Sequence, residues 1–104
     1  MRALLYDSLL LQGMSGDVAA DGLEGLKLAL ERSFDVVVSD IRLPGIGGID
    51  LARRISHLKS APKVILVTAF ASEQVVKDAQ AAGACRVLAK PMGLKVLAQN
   101  IYEV

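Results

Sequence analysis

The sequence predicts an α/β fold in which helices cover a parallel sheet. Short apolar runs rich in β-branched residues alternate along the chain with segments whose apolar residues recur at helical spacing. The runs are nearly continuous rather than alternating with polar residues, which is typical of strands buried on both faces of a parallel sheet. Regular alternation of strand and helix indicates right-handed crossovers that return the chain to one sheet.

The elements follow one another without a repeat, a low-complexity segment or a linker. Strong strands are predicted at residues 35–40, 63–68 and 86–90, with a weaker one at 17–21. Helices are predicted at 22–32, 48–58, 72–82 and 93–104. Ser72 is a good N-cap for the third helix, and Gly83 is a good stop signal after it. We therefore expect one domain spanning residues 1–104.

The composition excludes several classes of protein. Hydrophobic residues make up 53% and charged residues 22%, a balance typical of a globular domain. No apolar run approaches the ~18 residues of a membrane span, and the polar residues at 6–8 interrupt any signal peptide, so we expect a cytoplasmic protein. A net charge of +1, with scattered basic residues, argues against nucleic acid as a partner. The single Cys85 excludes an internal disulfide and a cysteine-based zinc site.

The three strong strands end in polar residues of complementary chemistry, namely Asp40, Thr68 and Lys90. Because ligands bind at the carboxyl ends of strands in open parallel sheets, we expect these side chains to lie close together. The set suits phosphoryl transfer to a carboxylate. Asp40 can attack phosphorus as a nucleophile. The hydroxyl can donate a hydrogen bond to a phosphoryl oxygen, and the ammonium group can offset its charge.

Further motifs surround these strand ends. Pro44 stands four positions after Asp40 and opens a glycine-rich turn, an alanine follows Thr68, and Pro91 follows Lys90. The tracts at residues 20–26 and 81–84 add an Ala-Asp-Gly junction and an Ala-Gly-Ala loop. In this order and spacing the motifs resemble those of receiver domains of two-component response regulators, in which the Lys-Pro bond is cis. The resemblance covers nearly the whole chain.

This resemblance implies a flavodoxin-like, doubly wound sheet of strand order 2-1-3-4-5. It implies that a histidine kinase or phosphotransfer protein supplies a phosphoryl group to Asp40 in the presence of Mg²⁺. In the family, the ion is held by the acceptor aspartate, by a backbone carbonyl that corresponds to Arg42, and by an acidic pair after the first strand. A downstream protein is expected to bind the face formed by residues 72–82, the last strand and residues 93–104. No output domain is expected.

The family's first strand and acidic pair have no clear match. In the register set by residues 20–22, Gly13 ends the family's first helix, while Leu5 and Leu9 take buried positions on it. The strand and pair would then lie upstream of Met1, so the sheet is expected to be missing or rearranging its first strand. The resulting bare edge would favour a homodimer, and the Mg²⁺ site would be incomplete.

A second register places the first strand at residues 3–7, with Asp7 in place of the acidic pair. Residues 8–16 then remain for the crossover to the next strand. A parallel crossover needs at least ~10–12 residues, so this register is strained and stays the alternative.

Two alternatives to phosphoryl acceptance also follow from departures from the family pattern. Val87 stands where many receivers carry an aromatic residue that turns inward on activation, and Phe70 is interpreted as a packing residue. With the acidic pair missing, the chain is alternatively a degenerate receiver that binds partners or dimerises without phosphorylation.

Phosphatases of the haloacid dehalogenase type place a second aspartate two residues after the nucleophile, where this chain has Arg42. We therefore expect no enzyme activity.

Overall fold

A computed structural model describes residues 2–5, 15–19, 21–42, 46–91 and 93–104. Nine helices and strands lie within this described part of the chain. In chain order they are β1 (Arg2–Leu5), β2 (Ser15–Val18), α1 (Gly22–Glu31), β3 (Val36–Asp40), α2 (Gly48–Ser56), β4 (Lys63–Thr68), α3 (Glu73–Ala81), β5 (Arg86–Ala89) and α4 (Leu94–Glu103). The predicted strong strands and all four predicted helices are present, with ends that differ by one or two residues.

The weak fourth strand begins two residues earlier than predicted and ends three residues earlier, at Val18. The reason is the cap of α1. Asp21, which we placed at the end of the strand, accepts a hydrogen bond from the backbone N–H of Glu24 at 2.8 Å. This bond satisfies one of the free N–H groups of the first helical turn, so Asp21 belongs to the start of α1.

The five described strands form one parallel sheet with the order β2-β1-β3-β4-β5. This is the strand order that the resemblance implied. The strands end at neighbouring points on one edge, because Asp40 pairs with Val67 and Thr68 pairs with Ala89. The ends of β3, β4 and β5 are therefore side by side.

The central strand is the main difference from the sequence prediction. We expected the first strand upstream of Met1 and a gap at the centre of the sheet; this is not confirmed, because β1 fills that place and pairs with both β2 and β3. Its four residues pair with all four residues of β2 and with the first three residues of β3. The argument for a homodimer through a bare edge therefore loses its premise. The crossover between β1 and β2, including Asp7, lies outside the described residues.

The core consists of two apolar layers, one on each face of the sheet. Alternate residues of β3 and β4 enter opposite layers, which explains their continuous apolar runs. One layer joins the sheet to α1, α2 and α3; the other joins it to α4. Ile65 and Leu66 are adjacent, face opposite layers and are both fully buried. The buried members of the α4 layer are Val36, Val38, Ile65, Val67, Leu97 and Ile101. Of the four helices described, none is both long and apolar enough to cross a membrane.

A polar contact ties β5 to α4. Arg86 Nη1 lies 2.8 Å from Glu103 Oε1 and donates to Asn100 Oδ1 at 2.6 Å. The hydrogen bond from Arg86 holds the pKa of the exposed Glu103 carboxyl below its ordinary value. A carboxyl whose pKa is lowered on folding adds stability above its unfolded-state pKa, and this stability is lost as the pH falls through the lowered value.

We expect Glu103→Gln to reduce the free energy of unfolding slightly at neutral pH and less in strong acid, below the lowered pKa of Glu103. The effect is small because the pair is partly exposed and screened by solvent. Urea unfolding of both proteins at the two pH values measures the difference. An equal loss at both pH values would contradict an electrostatic origin.

Candidate functional site

The carboxylate and the ammonium group predicted for the site are in direct contact. Asp40 is the last residue of β3, and Lys90 follows the end of β5. Although β4 lies between these strands, Lys90 Nζ is 2.6 Å from Asp40 Oδ1. Both side chains remain accessible, with 21% of Asp40 and 46% of Lys90 exposed. The bond between Lys90 and Pro91 is cis, as the resemblance implied. A small molecule can therefore reach the paired carboxylate.

Thr68 ends the strand between them and is buried. Its Oγ1 accepts a hydrogen bond from the backbone N–H of Phe70 at 3.1 Å. Its carbonyl oxygen accepts one from the N–H of Lys90 at 2.8 Å. The N–H of Ile41 likewise donates to the carbonyl of Val67 at 2.9 Å, which continues the pairing of β3 and β4 past the strand end. These bonds hold the three strand ends in a fixed arrangement.

The chain passes close to Asp40 a second time at the start of α2. The N–H of Gly48 donates to the carbonyl of Ile41 at 2.7 Å. A Cβ atom on Gly48 would clash with the carbonyl oxygen of Asp40 and would lie 2.8 Å from Ile41 Cα. Only glycine allows α2 to begin this close to Asp40. Gly48, which belongs to the glycine-rich motif of the sequence, thus has a steric role.

Two exposed side chains meet beside this edge of the sheet. The Arg42 guanidinium carbon lies 5.5 Å from the centroid of the Phe70 ring, within the range of a cation–π contact. Interpreting Phe70 as a packing residue is wrong, since 67% of it is exposed. Sequence reasoning missed this pair because the two residues lie in different loops. The only signal in the sequence was that each residue stands two positions after the end of a predicted strand. Val87, by contrast, packs against the core as an ordinary half-buried valine.

The expected Mg²⁺ ligands are partly within the described chain. No three His, Cys, Asp or Glu side chains group as a metal site among the residues that the structure describes. Asp40 offers a carboxylate at the sheet edge, and the backbone carbonyl of Arg42 follows in the next loop. Mg²⁺ commonly takes one or two carboxylates and keeps several waters, so these oxygen donors fit part of its coordination shell. Asp7, the third expected ligand, lies outside the described residues.

Comparison with known proteins establishes the family. The sequence model of the response regulator receiver domain matches residues 1–102, and the chain belongs to this family. It is therefore a receiver domain of a two-component system, a signalling module and not an enzyme. Receiver domains partner with histidine kinases, and the family binds Mg²⁺.

Two relatives show the range of proteins that carry such a domain. The chain is 38% identical over 104 residues to the transcriptional regulatory protein AfsQ1 of Streptomyces coelicolor, covering 100% of this chain and 46% of that protein. It is 42% identical over 94 residues to the virulence sensor protein BvgS of Bordetella bronchiseptica, covering 83% of this chain and 8% of that protein. The chain thus spans less than half the length of these curated relatives.

Solved structures agree with the fold. A response regulator receiver domain protein from Methanospirillum hungatei superimposes with a TM-score of 0.87 at 28% identity, covering 98% of this chain and 90% of that one. A CheX-CheY-BeF3-Mg complex from Borrelia burgdorferi gives 0.86 at 26% identity, covering 99% and 87%.

Proposed function

We propose that this receiver domain accepts a phosphoryl group on Asp40 from the phosphohistidine of a histidine kinase or a phosphotransfer protein. The observation that carries the proposal is the 2.6 Å contact between Lys90 Nζ and Asp40 Oδ1 at the carboxyl edge of a parallel sheet. This contact places a cation beside an accessible carboxylate, the requirement for bringing a second anion to it.

Each site residue has a role in the transfer. A carboxylate oxygen of Asp40 attacks phosphorus, the new P–O bond forms as the P–N bond breaks, and the imidazole nitrogen keeps the bonding pair. Lys90 offsets the negative charge on the phosphoryl oxygens. Thr68 donates its hydroxyl hydrogen to one of them, which is compatible with its oxygen accepting a hydrogen bond from the N–H of Phe70.

Mg²⁺, when bound, would offset negative charge at the site. Asp40 and the backbone carbonyl of Arg42 would hold the ion, with Asp7 as a further ligand. The Borrelia burgdorferi structure, whose complex contains BeF3 and Mg, supports Mg²⁺ as the ion.

The test is the intact mass of the protein after incubation with acetyl phosphate and Mg²⁺. We expect a phosphate-sized gain in the wild type, because acetate leaves as Asp40 takes the phosphoryl group, and none in Asp40→Asn. Asp50→Asn, a carboxylate on the exposed surface of α2, is the matched control and should gain the phosphate normally. A folded wild-type protein without the gain would overturn the proposal.

The second candidate is a receiver that binds partners without phosphorylation. It is favoured by Val87, which packs against the core where many receivers carry a mobile aromatic residue. Its contact surface would be the face formed by residues 72–82, β5 and residues 93–104. Partner binding that is equal in wild type and Asp40→Asn would support this candidate.

A further inference from the structure

The contact between Arg42 and Phe70 links the two loops that flank the acceptor. Arg42 stands two residues after Asp40, and Phe70 stands two residues after Thr68. The guanidinium carbon is 5.5 Å from the ring centroid. Both side chains are exposed, so neither is held in place by the core. An exposed cation–π contact of this kind is weak, and a stronger partner for the guanidinium would break it.

A backbone hydrogen bond at a strand end lies at or next to each member of the pair. Ile41, next to Arg42, donates its N–H to the carbonyl of Val67 at 2.9 Å. Phe70 itself donates its N–H to Thr68 Oγ1 at 3.1 Å. Arg42 and Phe70 are thus anchored to the ends of β3 and β4, where Asp40 and Thr68 lie. Because Arg42 is only two residues from Asp40 in the chain, a change in charge at Asp40 acts on its guanidinium.

Phosphorylation changes the charge balance of the site. In the free state, the single negative charge of Asp40 faces the single positive charge of Lys90 at 2.6 Å. A phosphoryl group carries a charge of about −1.5 to −2 and three strong acceptor oxygens, more than one ammonium group satisfies. The guanidinium of Arg42 is planar and offers paired N–H donors that match phosphoryl oxygens. Such charge-assisted bonds are stronger than an exposed cation–π contact.

We propose that Arg42 is a second phosphoryl-binding residue, and that its guanidinium stays in contact with the Phe70 ring until Asp40 is phosphorylated. On phosphorylation the guanidinium leaves the ring and binds the phosphoryl oxygens, and the Phe70 ring becomes uncovered at the surface. This inference rests on the proposed phosphorylation of Asp40 and adds the regulation of that site. It predicts that Arg42 and Phe70 act on phosphoryl binding in opposite directions.

The dissociation constant for beryllofluoride, a phosphoryl mimic, at fixed Mg²⁺ concentration tests the inference. Arg42→Gln should weaken binding about tenfold, because charge-assisted hydrogen bonds are lost. Phe70→Leu should tighten it about two- to fivefold, since the competing cation–π contact no longer stabilises the free state. In the Arg42→Gln background, Phe70→Leu should have no effect, because the ring acts only through the guanidinium.

Two control variants test whether the expected changes in the dissociation constant are specific to Arg42 and Phe70. Arg54→Gln on α2 and Tyr102→Leu on α4 change an exposed arginine and an exposed aromatic residue elsewhere, and both should leave the dissociation constant unchanged. If the wild type binds no beryllofluoride, both the proposed function and this inference fail. If it binds through Asp40 but Arg42→Gln binds equally well, or Phe70→Leu binds more weakly, only this inference is overturned.

Discussion

Replacing Lys90 with alanine should slow the phosphorylation of Asp40 by acetyl phosphate about a hundredfold. Lys90 Nζ lies 2.6 Å from the Asp40 carboxylate, so its charge is close to where phosphoryl charge would accumulate in the proposed transfer. The fold should be nearly unaffected, because the Lys90 side chain is 46% exposed and an exposed ion pair contributes at most about 1 kcal/mol. The variant should therefore change the rate of phosphorylation far more than the free energy of unfolding.

The rate is measured as the time course of the intact-mass gain, with thermal unfolding recorded on the same samples. Lys95→Ala, an exposed lysine in the first turn of α4, is the control and should react at the wild-type rate. An unchanged rate in Lys90→Ala would show that the contact with Asp40 is a surface ion pair without a part in phosphoryl transfer.

The three polar strand ends were predictable because the information is local. Each apolar run ends in the residue that carries the chemistry, so Asp40, Thr68 and Lys90 follow from strand boundaries and from the parallel arrangement alone. The contact between Asp40 and Lys90 across β4 is the direct result.

Features that depend on the path of the chain between elements were not predictable in this way. The contact between Arg42 and Phe70 depends on the course of two loops, and an exposed aromatic residue looks in sequence like one that packs. The place of the first strand was open for a related reason: the main register put it upstream of Met1, which is not confirmed, and the alternative put it at residues 3–7. The choice between the registers depended on a minimum crossover length, which concerns the connecting segment alone. In the sheet, β1 lies between β2 and β3 and pairs with both, so their backbone groups find hydrogen-bond partners there.

Gly48→Ala should lower the free energy of unfolding by about 3 kcal/mol, and it should also slow the phosphorylation of Asp40. The added Cβ atom would overlap the carbonyl oxygen of Asp40 and lie 2.8 Å from Ile41 Cα and 3.0 Å from Asp40 C. These are backbone atoms, which have no rotamer to escape into, so the strand end or the helix must shift. Either shift stretches the 2.7 Å hydrogen bond from Gly48 N–H to the Ile41 carbonyl.

The adjacent Gly47 supplies a control within the same turn. A Cβ atom on Gly47 would lie 3.5 Å from the Ile41 carbonyl oxygen, an ordinary contact, and Gly47 caps α2 without a side-chain bond. Gly47→Ala should therefore cost no more than about 1 kcal/mol. Urea unfolding of both variants gives the comparison, and equal losses would mean that the close contact at Gly48 adds no cost of its own. A large loss for Gly48→Ala alone would show that the clash with the end of β3 is costly, and a slower mass gain in the same variant would show that this close approach also positions Asp40.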